Sequence, residues 1–292
     1  MKSRLAAGTL LAAGMAVALP ASARLPTKIY GQQLVDEVLT RHPEVLLIGL
    51  HVTPPGEADN VIIASNFGRL GKKADEDDLG VIRSGHSKAE PNAAKTRYAV
   101  ELPLEDVGGS TIGALGLNFG YKDGDDEQAL ERKAESIRDE LKRRTADAAN
   151  LVEPYPYDPA ATTLTHAQKL VIRTLAHYGG LLSMRLCTAS TGSDCSVVAS
   201  SVGRIGSPAG RIEIEVMHTG KELLEVDPAH SDRLNVHLPL RDASGKTIGV
   251  VTLVHPYKAA GDKPTLLASS TRIRDELGAQ VSTMAALLVL DP

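Results

Sequence analysis

Apolar residues recur along this chain in two rhythms, and the same succession of rhythms occurs twice. Leu34, Val35, Val38 and Leu39 share one helical face, and Leu170, Val171, Thr174, Leu175 and Tyr178 repeat it, with Thr27 and Thr165 as the N-caps the pattern predicts. Runs of strand character follow at 45–52 and 61–65 in the first copy and at 181–187 and 197–200 in the second. After a variable, partly helical middle, strands are predicted at 98–104 and 112–118, and again at 234–240 and 248–254. The turns between them read Asp106-Val-Gly-Gly109 and Asp242-Ala-Ser-Gly245, a type I turn closed by a left-handed glycine. A final helix presents Leu130, Ala134, Ile137 and Leu141 on one stripe, and its counterpart presents Leu266, Ser270, Ile273, Leu277 and Met284.

The repetition is literal in places. ELPLEDVGGSTIGALGLNFGYK (101–122) returns as HLPLRDASGKTIGVVTLVHPYK (237–258), with eleven of twenty-two positions identical at an offset of 136. IRDEL recurs at the same offset, and Gly68-Arg69-Leu70-Gly71 returns as Gly203-Arg204-Ile205-Gly206 at 135. A period of this length matches one globular domain and excludes a solenoid of short repeats. The expected organisation is a segment 1–23, a first module over 24–150, a Pro-rich linker over 151–163 and a second module over 164–292. Pro154, Pro156 and Pro159 stiffen that linker, so the modules are expected to be held apart or docked rather than freely tumbling.

Residues 1–23 combine Lys2 and Arg4, an apolar stretch from Leu5 to Leu19 and an Ala-Ser-Ala site, the pattern of a cleaved secretory signal. Cleavage after Ala23 makes the expected product exported, periplasmic or secreted, and moves its formal charge from −4 to −6. With no basic arm and no Trp, the chain is a poor candidate for nucleic acid, and no basic amphipathic stretch points to a membrane surface. Cys187 and Cys195 flank the loop TASTGSD on adjacent predicted strands, and an exported chain can join them as a hairpin disulfide.

The order helix, strand pair, helical middle, Gly-turned hairpin, helix resembles the PAS-like extracytoplasmic sensor fold, the Cache family. The resemblance covers nearly all of both copies as topology. It implies an α+β fold of two tandem PAS/Cache-like modules, each an antiparallel sheet flanked by a long N-terminal and a C-terminal helix. It further implies a small-molecule pocket on one sheet face. The spaced Tyr, Arg, Trp, Tyr and Asp of amino-acid-binding members are not matched.

Chemistry concentrates, on this reading, in the Gly-Arg-x-Gly element. The glycines permit a tight turn with exposed N–H groups, and Arg69 and Arg204 offer planar donor forks for a carboxylate or phosphate. Asn66 and Lys72 add donors in the first copy, so Asn66, Arg69, Lys72 and Arg204 are the candidate ligand-binding residues. The competing reading is a structural turn whose Arg pairs internally with the helix carrying Asp139 or Asp275. Neither the histidines (His51, His86, His218, His237, His255) nor the runs Asp75–Asp78 and Asp123–Glu127 have metal-ligand spacing, and the acidic runs read as helix caps. No nucleophile motif occurs, and the adjacent pairs Tyr121-Lys122 and Tyr257-Lys258 point to opposite strand faces. The expectation is a ligand-binding sensor protein without cofactor, acting with a membrane receptor or transporter. The alternatives are an envelope scaffold and, behind it, an unrecognised hydrolase.

Overall fold

A computed structural model of the 292-residue chain describes residues 28–189 and 195–291. The signal segment, Thr27 and most of the loop between the cysteines lie outside the described residues.

The first module runs α1 (Tyr30–Arg41), β1 (Val45–Val52), β2 (Val61–Ser65), α2 (Glu76–Ser84), β3 (Lys88–Pro91), β4 (Arg97–Glu105), β5 (Thr111–Gly120), α3 (Glu127–Lys142) and a short α4 (Ala148–Leu151). The second runs α5 (His166–His177), β6 (Ser183–Ala189), β7 (Cys195–Ser200), α6 (Arg211–Thr219), β8 (Leu223–Val226), β9 (Arg233–Arg241), β10 (Thr247–Pro256), α7 (Lys263–Ala279) and α8 (Met284–Leu287). Each sheet is antiparallel and five-stranded, in the order β2-β1-β5-β4-β3 and β7-β6-β10-β9-β8. This is the expected α+β class: two tandem modules, each a five-stranded antiparallel sheet with helices.

Local chemistry accounts for the elements. Asp75 and Asp78 form a reciprocal capping box on α2, Asp126 caps α3, and Thr165 caps α5, so the acidic runs act as helix starts. The hairpin turns form as the spacing predicts: Asp106 Oδ1 accepts from Gly108 N and Ser110 N, and Gly109 sits at φ +88°. Strand alternation then separates two faces. Leu50, Val100, Leu102, Leu104, Leu115 and Leu117 face α1 and α3 and form the first core with Leu34, Ile137 and Leu141. The second core repeats this with Leu186, Val236, Leu238, Leu253, Leu170 and Ile273. The opposite face is covered by the short α2, or by α6, and Asp78, Glu213, His237 and Thr252 are buried there.

The modules are docked. The start of the linker belongs to the first module, with Ile29 bridged to Pro154 and Tyr155 N donating to Lys28 O at 2.7 Å. Arg233 of β9 crosses to the first module, donating to Asp106 Oδ2 at 2.6 Å and to Ala146 O at 2.7 Å, and both side chains of that ion pair are buried. Asn150 donates to Val202 O at 2.9 Å, and a Cβ on Gly203 would stand 2.9 Å from the Tyr30 ring.

Removing one partner of a buried ion pair leaves an uncompensated charge and costs about 3–5 kcal/mol. Arg233→Met is therefore expected to lower the unfolding free energy by that amount, read as a fall in the urea midpoint, and to separate the unfolding of the two modules. A single transition at the unchanged midpoint would show that the bridge does not hold the docking.

Candidate functional site

Strand register builds the same cross-sheet row in both modules. In the second it runs Leu223, His237, Thr252, Arg185, Ser200 across β8, β9, β10, β6 and β7. In the first, the equivalent row is Lys88, Glu101, Gly116, Gly49, Ser65. Both rows lie on the face under the short helix, and both end on a serine strand clamped by a glutamine, Gln32 to Ser65 and Gln168 to Ser200.

In the second module the row is an internally compensated charge network. Glu213, reaching down from α6, accepts from Arg185 through both Nε and Nη2 and from Thr252 Oγ1 at 3.2 Å. Because the Thr252 hydroxyl spends its proton on Glu213, it accepts from His237 Nδ1 at 3.0 Å, which sets the imidazole tautomer. Burial works to raise the Glu213 carboxyl, but Arg185 and His237 outweigh it and hold the group below its usual range. Burial pushes His237 down to about 4, assisted by Arg185 and opposed by Glu213. Beside this network lies a cavity of about 320 Å³, lined in part by Arg185, Glu213, Thr252, Arg204, Cys187 and the linker's Tyr157.

The first module has the carboxylates without the guanidinium. Asp78 takes the place of Glu213 on the covering helix, and His51 Nδ1 lies 3.2 Å from Asp78 Oδ2, off the hydrogen-bonding direction. Glu101 stands where the second module has His237, with Oε2 buried and unpartnered. Its carboxyl is pushed up to about 7, by burial first and then by Asp78, Asp75 and Asp77, with Lys88 opposing.

Of the four candidate ligand-binding residues, Arg204 is the one that lines a described cavity. Its guanidinium pairs with Glu153, with Nε donating at 3.0 Å, so its internal partner is a linker carboxylate rather than Asp139 or Asp275. Those two aspartates instead pair with the adjacent Arg138 and Arg274. Asn66 uses its side chain on the backbone, accepting from Ile48 N at 3.0 Å and donating to Leu46 O at 2.9 Å. Arg69 is exposed on the turn, and Lys72 reaches Asp75 at 4.0 Å. The Gly-Arg-x-Gly element is a turn that folds back on its strand, with Gly71 N donating to Ile62 O and Gly206 N to Val197 O, both at 2.9 Å. Arg69 and Arg204 both sit at positive φ, 61° and 65°, a conformation that non-glycine residues rarely adopt. Thus the structure does not bring Asn66, Arg69 and Lys72 together with Arg204.

Cys187 and Cys195 are both buried as thiols in a small cluster with Val216 and Val250. They sit diagonally, since Cys187 pairs with Val197 and Cys195 with Ala189, and a hydrogen bond between the thiols, then burial, raises the Cys187 pKa. Among the described residues no cluster of His, Cys, Asp and Glu has the arrangement of a metal site. No helix among them is long and apolar enough to cross a membrane.

No family model matches the chain, and no curated protein matches it. Among solved structures it is similar to the A. aeolicus nlh2 GAF domain in an inactive state, at 17% identity over 38% of this chain and 80% of that one, TM-score 0.32. A second likeness is to the inducer-binding domain of PobR from Acinetobacter with 3-hydroxybenzoic acid, at 11% identity over 39% and 97%, TM-score 0.30. A third, to the E. coli DhaR(N)–DhaL complex, has 13% identity over 78% and 85%, TM-score 0.27. At these scores the likenesses assign no activity, and these three do not single out the Cache family.

Two pH responses follow. Glu101 has a folded pKa above its unfolded value of about 4.3, so its favourable contribution is full below that value and is lost as pH rises through about 7. Glu101→Gln should therefore raise the melting temperature at pH 8 and change it little at pH 5. His237 and His255 have folded pKa values of about 4, below the unfolded ~6.5, so their contribution is present above ~6.5 and lost as pH falls to about 4. Acid unfolding should take up protons at both, and His255→Gln should flatten the stability curve between those limits.

Proposed function

We propose that the protein is an exported two-module binding protein of the sensor type, whose second module takes a small anionic ligand. The observation that carries this is the cavity under α6, where Arg185 and Arg204 converge from different elements. Each arginine uses Nε and Nη2 on a carboxylate, Glu213 or Glu153, so the approach that suits a ligand carboxylate or phosphate is to the Nη1 edges. A volume near 320 Å³ suits a small metabolite rather than a peptide. The linker's Tyr157 at the cavity wall would couple occupancy to the module junction, which is how a membrane receptor or transporter would read it. Export rests on the signal pattern of residues 1–23, and intact-mass measurement of the secreted chain tests cleavage after Ala23. In an oxidising compartment Cys187 and Cys195 would join by thiol–disulfide exchange with an oxidised dithiol carrier. That product is two hydrogens lighter, which the same spectrum reads.

The binding test is a thermal-shift titration with small carboxylates and phosphates. A ligand at a hundred times its Kd adds ~2.7 kcal/mol. Arg204→Lys keeps the charge and removes the fork, and it should abolish the ligand-induced shift with the fold retained. A flat screen on folded protein would reject the anion reading. The scaffold reading has one observation of its own. Leu70 and Arg69 are exposed on the first copy's turn, whereas the equivalent turn of the second copy is covered by Tyr30 and Asp158.

A further inference from the structure

The junction between the modules holds a larger cavity than the one beside Glu213. It measures about 620 Å³ and lies where α1 and the residues after α3 meet α5 and the end of the linker. One part of its lining is apolar. On α5, Ile172, Leu175 and Ala176 share a face by their i, i+3, i+4 spacing, next to the face that buries Leu170 and Val171. Leu164 extends that wall, and the rings of Tyr30 and Tyr155, 5.2 Å apart, continue the lining. Leu164 and Ile172 remain 55% and 58% exposed, and neither belongs to a module core. Apolar side chains left in water around a cavity are the usual mark of a binding groove.

The polar part of the lining carries an excess of positive charge, in a chain whose formal charge is −4. Arg41, Arg143, Arg144 and Lys169 stand there against Glu37 and Asp291. Arg41 pairs with Glu140 and Glu37, and Lys169 pairs with Asp291. The exposed Arg143 makes no ion pair among the described residues. Arg144 donates to Glu37 through Nη1, which leaves its Nε and Nη2 without an acceptor among those residues. The Tyr155 hydroxyl has no hydrogen-bond partner among them either. Burial raises that phenol, with Glu37 adding and Arg144 opposing, so it is a protonated donor within reach of the Arg144 charge. We propose that the junction binds an amphipathic carboxylate, its head on Arg144 and the Tyr155 hydroxyl and its apolar body over Leu164, Ile172 and Leu175. The Nε–Nη2 edge of a guanidinium gives a carboxylate two parallel N–H bonds. Covering the exposed wall of α5 removes apolar surface from water and favours a ligand with a hydrocarbon body over a small hydrophilic acid. Arg144 belongs to the first module and Ile172 to the second, so the ligand bridges the two. This site shares no lining residue with the cavity beside Glu213.

The experiment is calorimetric titration of the full chain at neutral pH with octanoate. Acetate, which lacks the body, and 1-octanol, which lacks the head, are titrated alongside. We expect one octanoate bound per chain, with acetate and octanol each weaker by about tenfold or more, the latter by the worth of a charged hydrogen bond. Tyr155→Phe removes a hydroxyl that bonds nothing in the fold, and it should weaken octanoate by a similar factor. Ile172→Glu places a carboxylate on the exposed wall and should abolish binding with the melting temperature kept. No binding of octanoate, equal affinity for octanol, or unchanged affinity in Ile172→Glu would each overturn the proposal. A dimer that Ile172→Glu splits, with no octanoate bound, would give the groove to a second copy of the chain instead. Arg204→Lys should leave octanoate binding untouched, so this site and the anion cavity of the second module stand or fall separately.

Discussion

A carboxylate held beneath a short helix against a sheet has to be compensated, and both modules are organised around that demand. Moving an isolated charge out of water is expensive enough that the group either finds a partner or gives up its charge. The second module takes the first route. Arg185, Thr252 and His237 all converge on Glu213, which stays ionised, while His237 stays neutral. The first module takes the second route: with glycines in the row, Glu101 is pushed up to about 7 and Asp78 is raised as well, by burial against the pull of His51. The same fold thus surrounds its carboxylates in two electrostatically different ways, and the difference arises from a few side chains on one sheet face.

Docking explains why the two Gly-Arg-x-Gly turns diverged in role although their backbones coincide. Both turns use consecutive left-handed residues, which brings the strand extension back on itself. In the second copy the missing Cβ of Gly203 admits the Tyr30 ring, and that of Gly206 admits Asp158 of the linker. Arg204 is then anchored by Glu153, so the turn joins the modules and at the same time forms one wall of the cavity. In the first copy Gly68 and Gly71 meet nothing, and Arg69 projects into solvent. The Asp106–Arg233 bridge fixes the same junction from the opposite side of the sheet order. Asp106 also closes its own hairpin turn, so one carboxylate serves both local and inter-module structure.

Much of the architecture was legible in the chain, for reasons that can be traced to particular residues. Period-two alternation in 98–104 and 234–240 marks half-buried strands, and Asp106 with Gly109 fixes their turn, so these elements fall within a residue or so of their expected bounds. The edge strands β3 and β8 were not expected. They are four residues long, mostly half-buried and pinned by a single neighbour, so they carry little alternation to read. Of the four candidate ligand-binding residues, Arg204 lines the cavity beside Arg185. The Gly-Arg-x-Gly turn repeats because both copies use its left-handed backbone. Asn66 was read as a ligand donor because an amide beside an arginine suits an anion, whereas its donors and acceptors close the β1–β2 connection.

Across the aligned rows the two copies differ in charge rather than repeat. Within the strands where the copies agree best, Gly49 is equivalent to Arg185, Glu101 to His237 and Gly116 to Thr252 at an offset of 136, and strand pairing puts the three positions of each copy in one row. A fold duplicated in tandem keeps the residues its backbone requires, because a left-handed turn or a core leucine is needed in both copies. It is free to differ where a side chain serves something other than the fold. Charge appearing or vanishing at aligned, inward-facing positions is costly to the fold unless a counter-charge comes with it. In the second module that counter-charge is covalently present as Arg185. In the first, Asp78 has the His51 imidazole at 3.2 Å and Glu101 has Lys88 on the neighbouring strand, itself paired with Asp77, so neither carboxylate is held by a guanidinium as Glu213 is.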